Sequence, residues 1–233
     1  MASTSAYSNS VKKAKELFKK AGLLLHSDIP HLPSNYVNQV RDLSYPEQWK
    51  MHNDSFWYHI KLTDESLILY KPDSFKYFMS PFENLMTVEQ YESQLHQDLV
   101  DSDFTEEDII EYLKDIQAIY SDYVDTELKA GSFTPIRVDI HPHQYQKTHH
   151  PVTHLHIGHD NESRIPIKKI MNPYAFASFV IATFYPNHWK QLRDDKLLDG
   201  GEYASTNQTL ESVTKNHSAQ WCGEEEEKRF YLT

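Results

Sequence analysis

Residues 134–157 read TPIRVDIHPHQYQKTHHPVTHLHI. Both ends of this stretch alternate between apolar and polar residues, which is the period of a half-buried β-strand. The pattern predicts strands over Thr134–Ile140 and Val152–Ile157, joined into an antiparallel hairpin by the loop from His141 to Pro151. Because successive side chains point to opposite faces of a strand, one face of the hairpin is apolar and belongs to a core. The opposite face then carries the polar set Arg137, Asp139, His141, His154 and His156.

The rest of the chain supplies partners for this hairpin. Similar alternation predicts three further strands, over Phe56–Leu62, Ser66–Lys71 and Phe75–Met79. Apolar residues at helical spacing predict a helix over Val11–Leu25, and Asn172 followed by Pro173 is a typical helix start. Residues 27–46 contain three prolines and predict an irregular connection. Together these elements predict a single α+β domain over residues 1–233, with an antiparallel sheet of about five strands and helices packed on it.

The net charge of −11 is concentrated in one segment. Between Glu83 and Glu127 there are 14 acidic residues and one basic residue, so this segment carries −13 and the rest of the chain +2. Capping signals at Thr87 and Thr105 predict two helices here, the second over residues 106–127 with an apolar stripe and an acidic face. Such a face is usually solvated; the alternative is that it docks a basic protein partner or mimics a phosphate backbone.

Composition restricts the class of protein. The single cysteine, Cys222, argues against a disulfide framework or a multi-cysteine zinc site and suits a reducing cytoplasm. The longest near-apolar run, Ala175–Tyr185, is shorter than the roughly 20 residues that span a bilayer, and residues 1–10 lack a signal-peptide pattern. The acidic balance disfavours non-specific binding to duplex DNA. We therefore expect a cytoplasmic protein that makes no membrane contact.

Histidines concentrate on the predicted hairpin, taken here as residues 133–160. Seven of the 14 histidines lie between His141 and His159. Imidazole titrates near neutral pH and is also a common metal ligand. Five polar residues on one face, with Arg164 following shortly after them in the sequence, favour a functional site. The simpler alternative is a solvated polar face on which Arg137 forms an ordinary ion pair with Asp139.

Three chemistries fit this face, and the sequence leaves them open. In the first, His154 and His156 bind one divalent metal, zinc or manganese, together with Asp139 or His141, and leave a coordination position for water. In the second, no metal is bound, and two histidines act as general acid and base. Arg137 and Arg164 then hold an anionic group, as phosphodiester cleavage requires. In the third, the face binds a phosphate, a carboxylate or a nucleotide and catalyses no reaction.

Known histidine motifs match the sequence only in part. The run from His154 to His159 is similar to the metallo-β-lactamase pattern His-x-His-x-Asp-His and to the histidine-triad pattern of nucleotide hydrolases. In both patterns Gly158 stands where the motif has the residue that carries the chemistry, an aspartate ligand in the first and the catalytic histidine in the second. The sequence therefore predicts membership of neither family.

A second set of motifs extends from about Phe56 to Tyr185. It comprises Asp64-Glu-Ser-Leu67, Tyr77 to Phe82, Arg137-x-Asp139, His150-Pro151-Val-Thr-His154-Leu-His156-Ile-Gly158, Arg164-Ile-Pro166 and Pro173-x-x-Phe176 ahead of Phe184-Tyr185. In this order the motifs resemble the bacterial domain-of-unknown-function family 2290. One departure is Glu65, where the family's tight turn has glycine. The resemblance implies a bacterial, cytoplasmic protein without an established activity, and it suggests a place in a phage-defence gene set.

The leading hypothesis is a phosphate-handling hydrolase, a nuclease or phosphodiesterase, whose substrate is a nucleotide or nucleic acid. Its catalytic residues would be His154, His156, Asp139 and His141, and its phosphate-binding residues Arg137 and Arg164. The alternative is a non-catalytic, antitoxin-like regulatory subunit that docks a larger effector through the acidic helical segment, residues 83–127. Whether the protein is an enzyme at all is open between these two hypotheses.

Overall fold

The computed structural model describes residues 4–82, 85–131, 133–147, 149–159, 163–195 and 210–221. The chain divides into two compact units, Met1–Ser80 with Phe133–Thr233, and Pro81–Ser132. The first contains the sheet and the second is helical, so the predicted α+β class is confirmed. That the whole chain is a single domain stays a prediction. Cys222 lies outside the described residues.

The sheet of the first unit has seven strands in the described part of the chain, and each strand pairs antiparallel with the next one along the sequence. The predicted number of about five is close. The two additional strands lie at the edges of the sheet, and their two to four residues are too few for an alternating pattern to reveal them. The strands are β1 (Leu24–Ser27), β2 (Ile60–Leu62), β3 (Leu67–Lys71), β4 (Ser74–Phe78), β5 (Ile136–Ile140), β6 (Thr153–Ile157) and β7 (Ile165–Pro166).

The helices of the described residues lie before, within and after the run of strands. Among them, none combines the length and the apolar character that crossing a bilayer requires. Two 3₁₀ turns are also present, at Pro142–Gln144 and Ser218–Gln220. The helices are α1 (Thr4–Lys20), α2 (Tyr36–Val40), α3 (Tyr45–Asp54), α4 (Val88–Asp101), α5 (Glu106–Leu113), α6 (Ile116–Ala130), α7 (Pro173–Phe184), α8 (Pro186–Asp194) and α9 (Val213–Asn216).

One face of the sheet packs against α1 and α7 and forms the main core. Alternate residues of the central strands, such as Phe75, Val138 and Leu155, are buried there with Phe18 of α1 and Phe176 of α7. The predicted start of α7 is confirmed, since the Asn172 side chain accepts a hydrogen bond from the Ala175 backbone N–H. The first helix was predicted to extend to Leu25, but Gly22, at φ 70°, ends it and lets the chain turn into β1.

The other face of the sheet is covered by α2 and α3, where the sequence predicted an irregular connection. Helix α3 begins with a capping box between Ser44 and Glu47. Phe56 follows α3 with φ 55°, and the Trp57 backbone N–H bonds back to the carbonyl oxygen of His52. Phe56 and Trp57 therefore close a helix, and the strand that was predicted to start at Phe56 starts only at Ile60. The tight turn at Glu65 does form, with that residue in the left-handed region at φ 69°.

In its described residues, 81–82 and 85–131, the helical unit contains three helices rather than the predicted two. Both predicted caps are confirmed, because Thr87 and Thr105 accept hydrogen bonds from the backbone N–H groups of Gln90 and Asp108. The helix predicted over residues 106–127 is interrupted after Leu113, and α6 starts three residues later. The apolar stripe continues across the interruption, so the hydrophobic pattern alone does not reveal it. Within the unit, the rings of Tyr91, Tyr120 and Tyr123 lie against one another.

Candidate functional site

Two neighbouring strands carry the centre of the candidate site. The register of β5 and β6 pairs Asp139 with His154 and, in the next row, Arg137 with His156. Since alternate residues of a strand point to one side, all four lie on the face opposite the main core. The prediction that they share one face is confirmed. The face is not solvated, however, since Asp139, His154 and His156 are 6%, 1% and 2% exposed.

Asp139 lies at the centre of this group. Its Oδ1 accepts a hydrogen bond from the Ser74 hydroxyl (2.7 Å), and its Oδ2 accepts one from Arg137 Nε (2.8 Å). Nε2 of His156 and Nε2 of His154 lie 3.3 and 3.9 Å from the same Oδ2. Burial alone would raise the pKa of Asp139, but the hydrogen bond from His156, the charge of Arg137 and the Ser74 hydroxyl hold it well below its usual range. The carboxylate is therefore ionised at neutral pH.

His154 is held as a neutral imidazole with its Nε2 unprotonated. Its Nδ1 lies 2.9 Å from the carbonyl oxygen of Pro151, and because that oxygen can only accept, Nδ1 carries the proton. Burial, and after it the neighbouring His156, lowers the pKa of His154 to about 4, against a smaller opposing effect of Asp139. At neutral pH the Nε2 lone pair faces the Asp139 carboxylate. This is the state in which histidine binds a metal or accepts a proton.

The contacts of His156 differ from those of His154. Its ring centroid lies 4.7 Å from that of His154, and its Nε2 contacts Asp139. Its Nδ1 is buried and has no hydrogen-bond partner among the described residues. A buried imidazole nitrogen without a partner is uncommon in folded proteins. Of the two histidines, His154 therefore has the more completely oriented ring.

Asp139, His154 and His156 can together hold a metal ion. Each offers one ligand atom, and these atoms lie within 4.8 Å of one another. Ligand atoms around a tetrahedral zinc ion are about 3.4 Å apart, so the group needs only small side-chain movements to close on one. The donor set, two imidazoles and one carboxylate, suits zinc or manganese. Arg137 is the competing cation, because it already contacts the Oδ2 that a metal would share.

A cavity of about 350 Å³, the Arg137 cavity, opens beside this group. Its floor includes Arg137 and Asp139 of β5 and His141, which directly follows that strand. Its opposite wall is formed by α2 and α3. Gly158, at φ 85°, also lies at its edge. His154 and His156 are not part of its lining, so only part of the predicted set faces this space.

Strand β4 adds two residues that the sequence analysis did not select. The register places Ser74 opposite Asp139 and Lys76 opposite Arg137, and both side chains line the Arg137 cavity. The sequence carried a signal for both. Ser74 precedes Phe75, and Lys76 lies between Phe75 and Tyr77, so alternation places them on the face opposite these two apolar residues. Arg41 and Tyr36, which line the cavity from α2 and its end, had no comparable signal, because α2 is only five residues long.

Arg164 lies in a different place from Arg137. It lines a second cavity of about 340 Å³, the Arg164 cavity, with His149, His150 and two glutamines. The His150 ring lies 4.7 Å from that of His154, so this cavity adjoins the histidine and aspartate group through His150. Burial and then the charge of Arg164 lower the pKa of His150. The expectation that one pocket contains both predicted arginines is therefore not met.

Comparison with known families matches residues 29–232 to the family described as "Uncharacterized conserved protein (DUF2290)". The match includes every residue that lines the two cavities. Neither the curated proteins nor the solved structures gave a significant match. Because the matched residues cover nearly the whole chain, the resemblance seen in its motifs is confirmed, and the protein belongs to the DUF2290 family.

Proposed function

We propose that this protein is a metal-dependent phosphoesterase, a phosphodiesterase or nuclease in which Asp139, His154 and His156 hold one divalent cation, zinc or manganese. The observation that carries the proposal is the contact of one buried carboxylate with both histidines and with Arg137. Metal ligands and a phosphate-binding guanidinium are thereby neighbours. Such neighbours are what hydrolysis of a phosphate ester requires.

The side chains around the proposed centre divide the work. A bound divalent cation would supply an activated water and charge stabilisation at the phosphoryl oxygens. His154 is oriented by Pro151 to present Nε2, and Ser74 holds the other oxygen of the Asp139 carboxylate. Arg137 uses Nε on Asp139, so its terminal nitrogens remain for a phosphate in the cavity. His141, at the edge of the same cavity, is positioned to donate a proton to the leaving group.

The test combines metal binding and hydrolysis. We expect purified protein to bind about one equivalent of zinc or manganese, and to hydrolyse bis(4-nitrophenyl) phosphate or a labelled single-stranded oligonucleotide only with metal. His154→Ala should lower metal affinity by more than about 100-fold, since loss of an outer-shell partner alone costs about 10–100-fold. The matched control is His143→Ala, because His143 is exposed and lines neither cavity.

Two results would contradict the proposal. The first is full-rate hydrolysis by folded His154→Ala. The second is hydrolysis by the wild type that EDTA does not reduce, which would favour acid–base catalysis by the histidines without a metal. Circular dichroism of each variant checks that a loss of activity is not a loss of fold.

A second candidate function, docking of a basic partner by a non-catalytic subunit, is favoured by the surface of the helical unit. Besides its acidic side chains it exposes Val100, Phe104, Ile110 and Tyr112, which are 42–57% exposed. Apolar side chains among like charges are typical of a protein interface with complementary charge. Reversing the charge of Glu107 and Glu111 should weaken such binding most at low salt. A cytoplasmic location and a role in phage defence stay predictions.

A further inference from the structure

The Arg137 cavity is strongly basic although the protein is acidic. Four of its lining residues are cations and one is a carboxylate: Arg41, Lys71, Lys76 and Arg137 against Asp139. Asp139 is already engaged by Arg137, and Lys71 lies 3.7 Å from Asp73. Arg41 and Lys76 have no carboxylate within ion-pair distance among the described residues. Two positive charges at this cavity are therefore not balanced by the protein.

The fold keeps these charges close together at a cost. Lys76 and Arg137 are direct cross-strand partners in β4 and β5, and like charges in that arrangement destabilise a sheet. The Lys76 ammonium is partly buried and lies 5.6 Å from the ring centroids of Tyr36 and Phe78, which offset only part of that cost. Burial, followed by the charge of Arg137, lowers the pKa of Lys76 to about 8. An unbalanced pair of this kind is typical of a site for an anion.

The neutral polar groups around the cavity are mostly occupied. The hydroxyl of Tyr45 donates to the carbonyl oxygen of Met79, and the hydroxyl of Tyr36 bonds Nε2 of His52 (2.7 Å). The side-chain amide of Gln48 donates to the carbonyl oxygen of Val40 (2.7 Å). Both oxygens of Asp139 already accept hydrogen bonds. The cavity therefore offers a ligand cationic donors and few acceptors, which suits a ligand whose oxygens only accept.

We propose that the Arg137 cavity binds the phosphate of a phosphomonoester, the terminal phosphate of a nucleotide or of a nucleic-acid strand, through Lys76, Arg41 and Arg137. A monoester carries a charge of about −1.5 to −2 near neutral pH, which matches the two unbalanced cations, whereas a diester carries only one. The volume of about 350 Å³ is at the small end of ordinary ligand sites and accommodates a mononucleotide or a strand end. As a statement about substrate class this rests on the proposed function, but the binding itself needs neither metal nor hydrolysis.

The test compares ligands that differ only in the phosphate. Isothermal titration calorimetry in EDTA measures binding of AMP and of 3′,5′-cyclic AMP, which share base and sugar but present a monoester and a diester. We expect AMP to bind with a Kd below about 1 mM and cyclic AMP to bind at least ten times more weakly. A 5′-phosphorylated oligonucleotide and its 5′-hydroxyl counterpart form the second pair. Tight binding of this phosphorylated strand identifies the source of the phosphate as a strand end, and binding of AMP alone identifies it as a free nucleotide.

Variants assign the binding to this cavity. Lys76→Met removes the charge and retains most of the length of the side chain against Tyr36 and Phe78, and it should weaken AMP binding at least tenfold. Arg41→Met, at the exposed edge of the cavity, should weaken it by a smaller factor. The control is Lys50→Met, because Lys50 is an exposed lysine of α3 outside the lining. Thermal denaturation verifies that each variant is folded.

Several outcomes would overturn the inference. The first is equal affinity for AMP and cyclic AMP. The second is a Kd above about 1 mM for both AMP and the 5′-phosphorylated oligonucleotide. The third is unchanged AMP affinity in folded Lys76→Met. All measurements are made without metal, so a protein that binds AMP in this way and hydrolyses nothing would refute the proposed function alone. A protein that hydrolyses diesters with metal but prefers cyclic AMP would refute only the monoester site.

Discussion

The two faces of the sheet are built from the same strands, but one face buries apolar side chains and the other buries polar and charged ones. On one face, Phe75, Val138 and Leu155 pack against α1 and α7 in a continuous apolar core. On the other, the alternate residues of the same strands include Lys76, Asp139 and His154, and they too are largely removed from solvent. The apolar face is stabilised by every residue that it buries. The polar face is stable only where its charges are paired. The Arg137–Asp139 pair therefore maintains the fold, whereas a cation without a carboxylate partner does not.

The largest expected effect is on the apolar face. Phe176 is fully buried and contacts the rings of Tyr70 and Phe75. Phe176→Ala should lower the free energy of unfolding by about 3–5 kcal/mol, because the apolar transfer energy is lost and a cavity remains. Urea denaturation measures this change. Ile157→Ala is the comparison, since Ile157 is 46% exposed and should cost less than about 1 kcal/mol. Equal losses at the two positions would contradict this description of the core.

A smaller loss is expected where a paired charge is removed from the polar face. Asp139→Asn leaves the partly buried Arg137 without its carboxylate, and the free energy of unfolding should fall by about 3 kcal/mol. The control is Asp73→Asn, because Asp73 pairs with Lys71 at the surface and should matter by less than about 0.5 kcal/mol. If both substitutions had the small effect, Asp139 would not be the residue that neutralises this face.

The apolar face was predictable from the sequence, and the polar face only in part. Alternation over 136–140 and 153–157 gave both strands and the shared face of Arg137, Asp139, His154 and His156, because a period of two depends only on local residues. Burial of that face was not predictable. It depends on α2, which is too short to show a helical period, and on α3, whose first turn contains the last of the three prolines that suggested an irregular connection. The Arg164 cavity was not predictable either, because its other lining residues belong to the loop between β5 and β6, whose path no local pattern specifies. Lys76 was missed because its strand was read as a partner for the core alone.

The pH dependence of stability tests the cost of protonating a histidine that is buried on the polar face. His52 is fully buried behind the Arg137 cavity, with Nδ1 2.6 Å from the carbonyl oxygen of Gln48 and Nε2 bonded to Tyr36. Burial lowers the pKa of His52 to about 4, with a smaller contribution of the same sign from Lys76 and an opposing one from the Gln48 hydrogen bond. Between pH 6.5 and 4 the unfolded state binds the proton that the folded state refuses, so stability falls as the pH falls.

This histidine should account for about 2 kcal/mol of the stability lost between pH 7 and pH 5. His52→Gln, which keeps a donor and an acceptor but does not titrate, should reduce that loss by the same amount in urea denaturation at the two pH values. His143→Gln removes an exposed histidine instead and should leave the loss as it is in the wild type. If His52→Gln lost as much stability as the wild type between pH 7 and pH 5, other groups would determine the acid sensitivity.

The smallest expected effect has the opposite sign and concerns Lys76. At pH 7, Lys76→Met should raise the free energy of unfolding, by up to about 1 kcal/mol, because it removes a cation with no carboxylate partner among the described residues and retains an apolar stem. The gain should shrink as the pH rises above 8, where Lys76 in the folded protein becomes neutral. Lys61→Met is the matched control, since Lys61 lies near a ring as well but pairs with Glu65 and Asn53, and its loss should destabilise. A gain at Lys76 with a loss at Lys61 would mean that the fold tolerates this charge rather than depends on it, which is the relation expected of a residue retained for an anionic ligand. A loss at both positions would make Lys76 part of the structural charge balance and remove that reason for assigning it to a ligand.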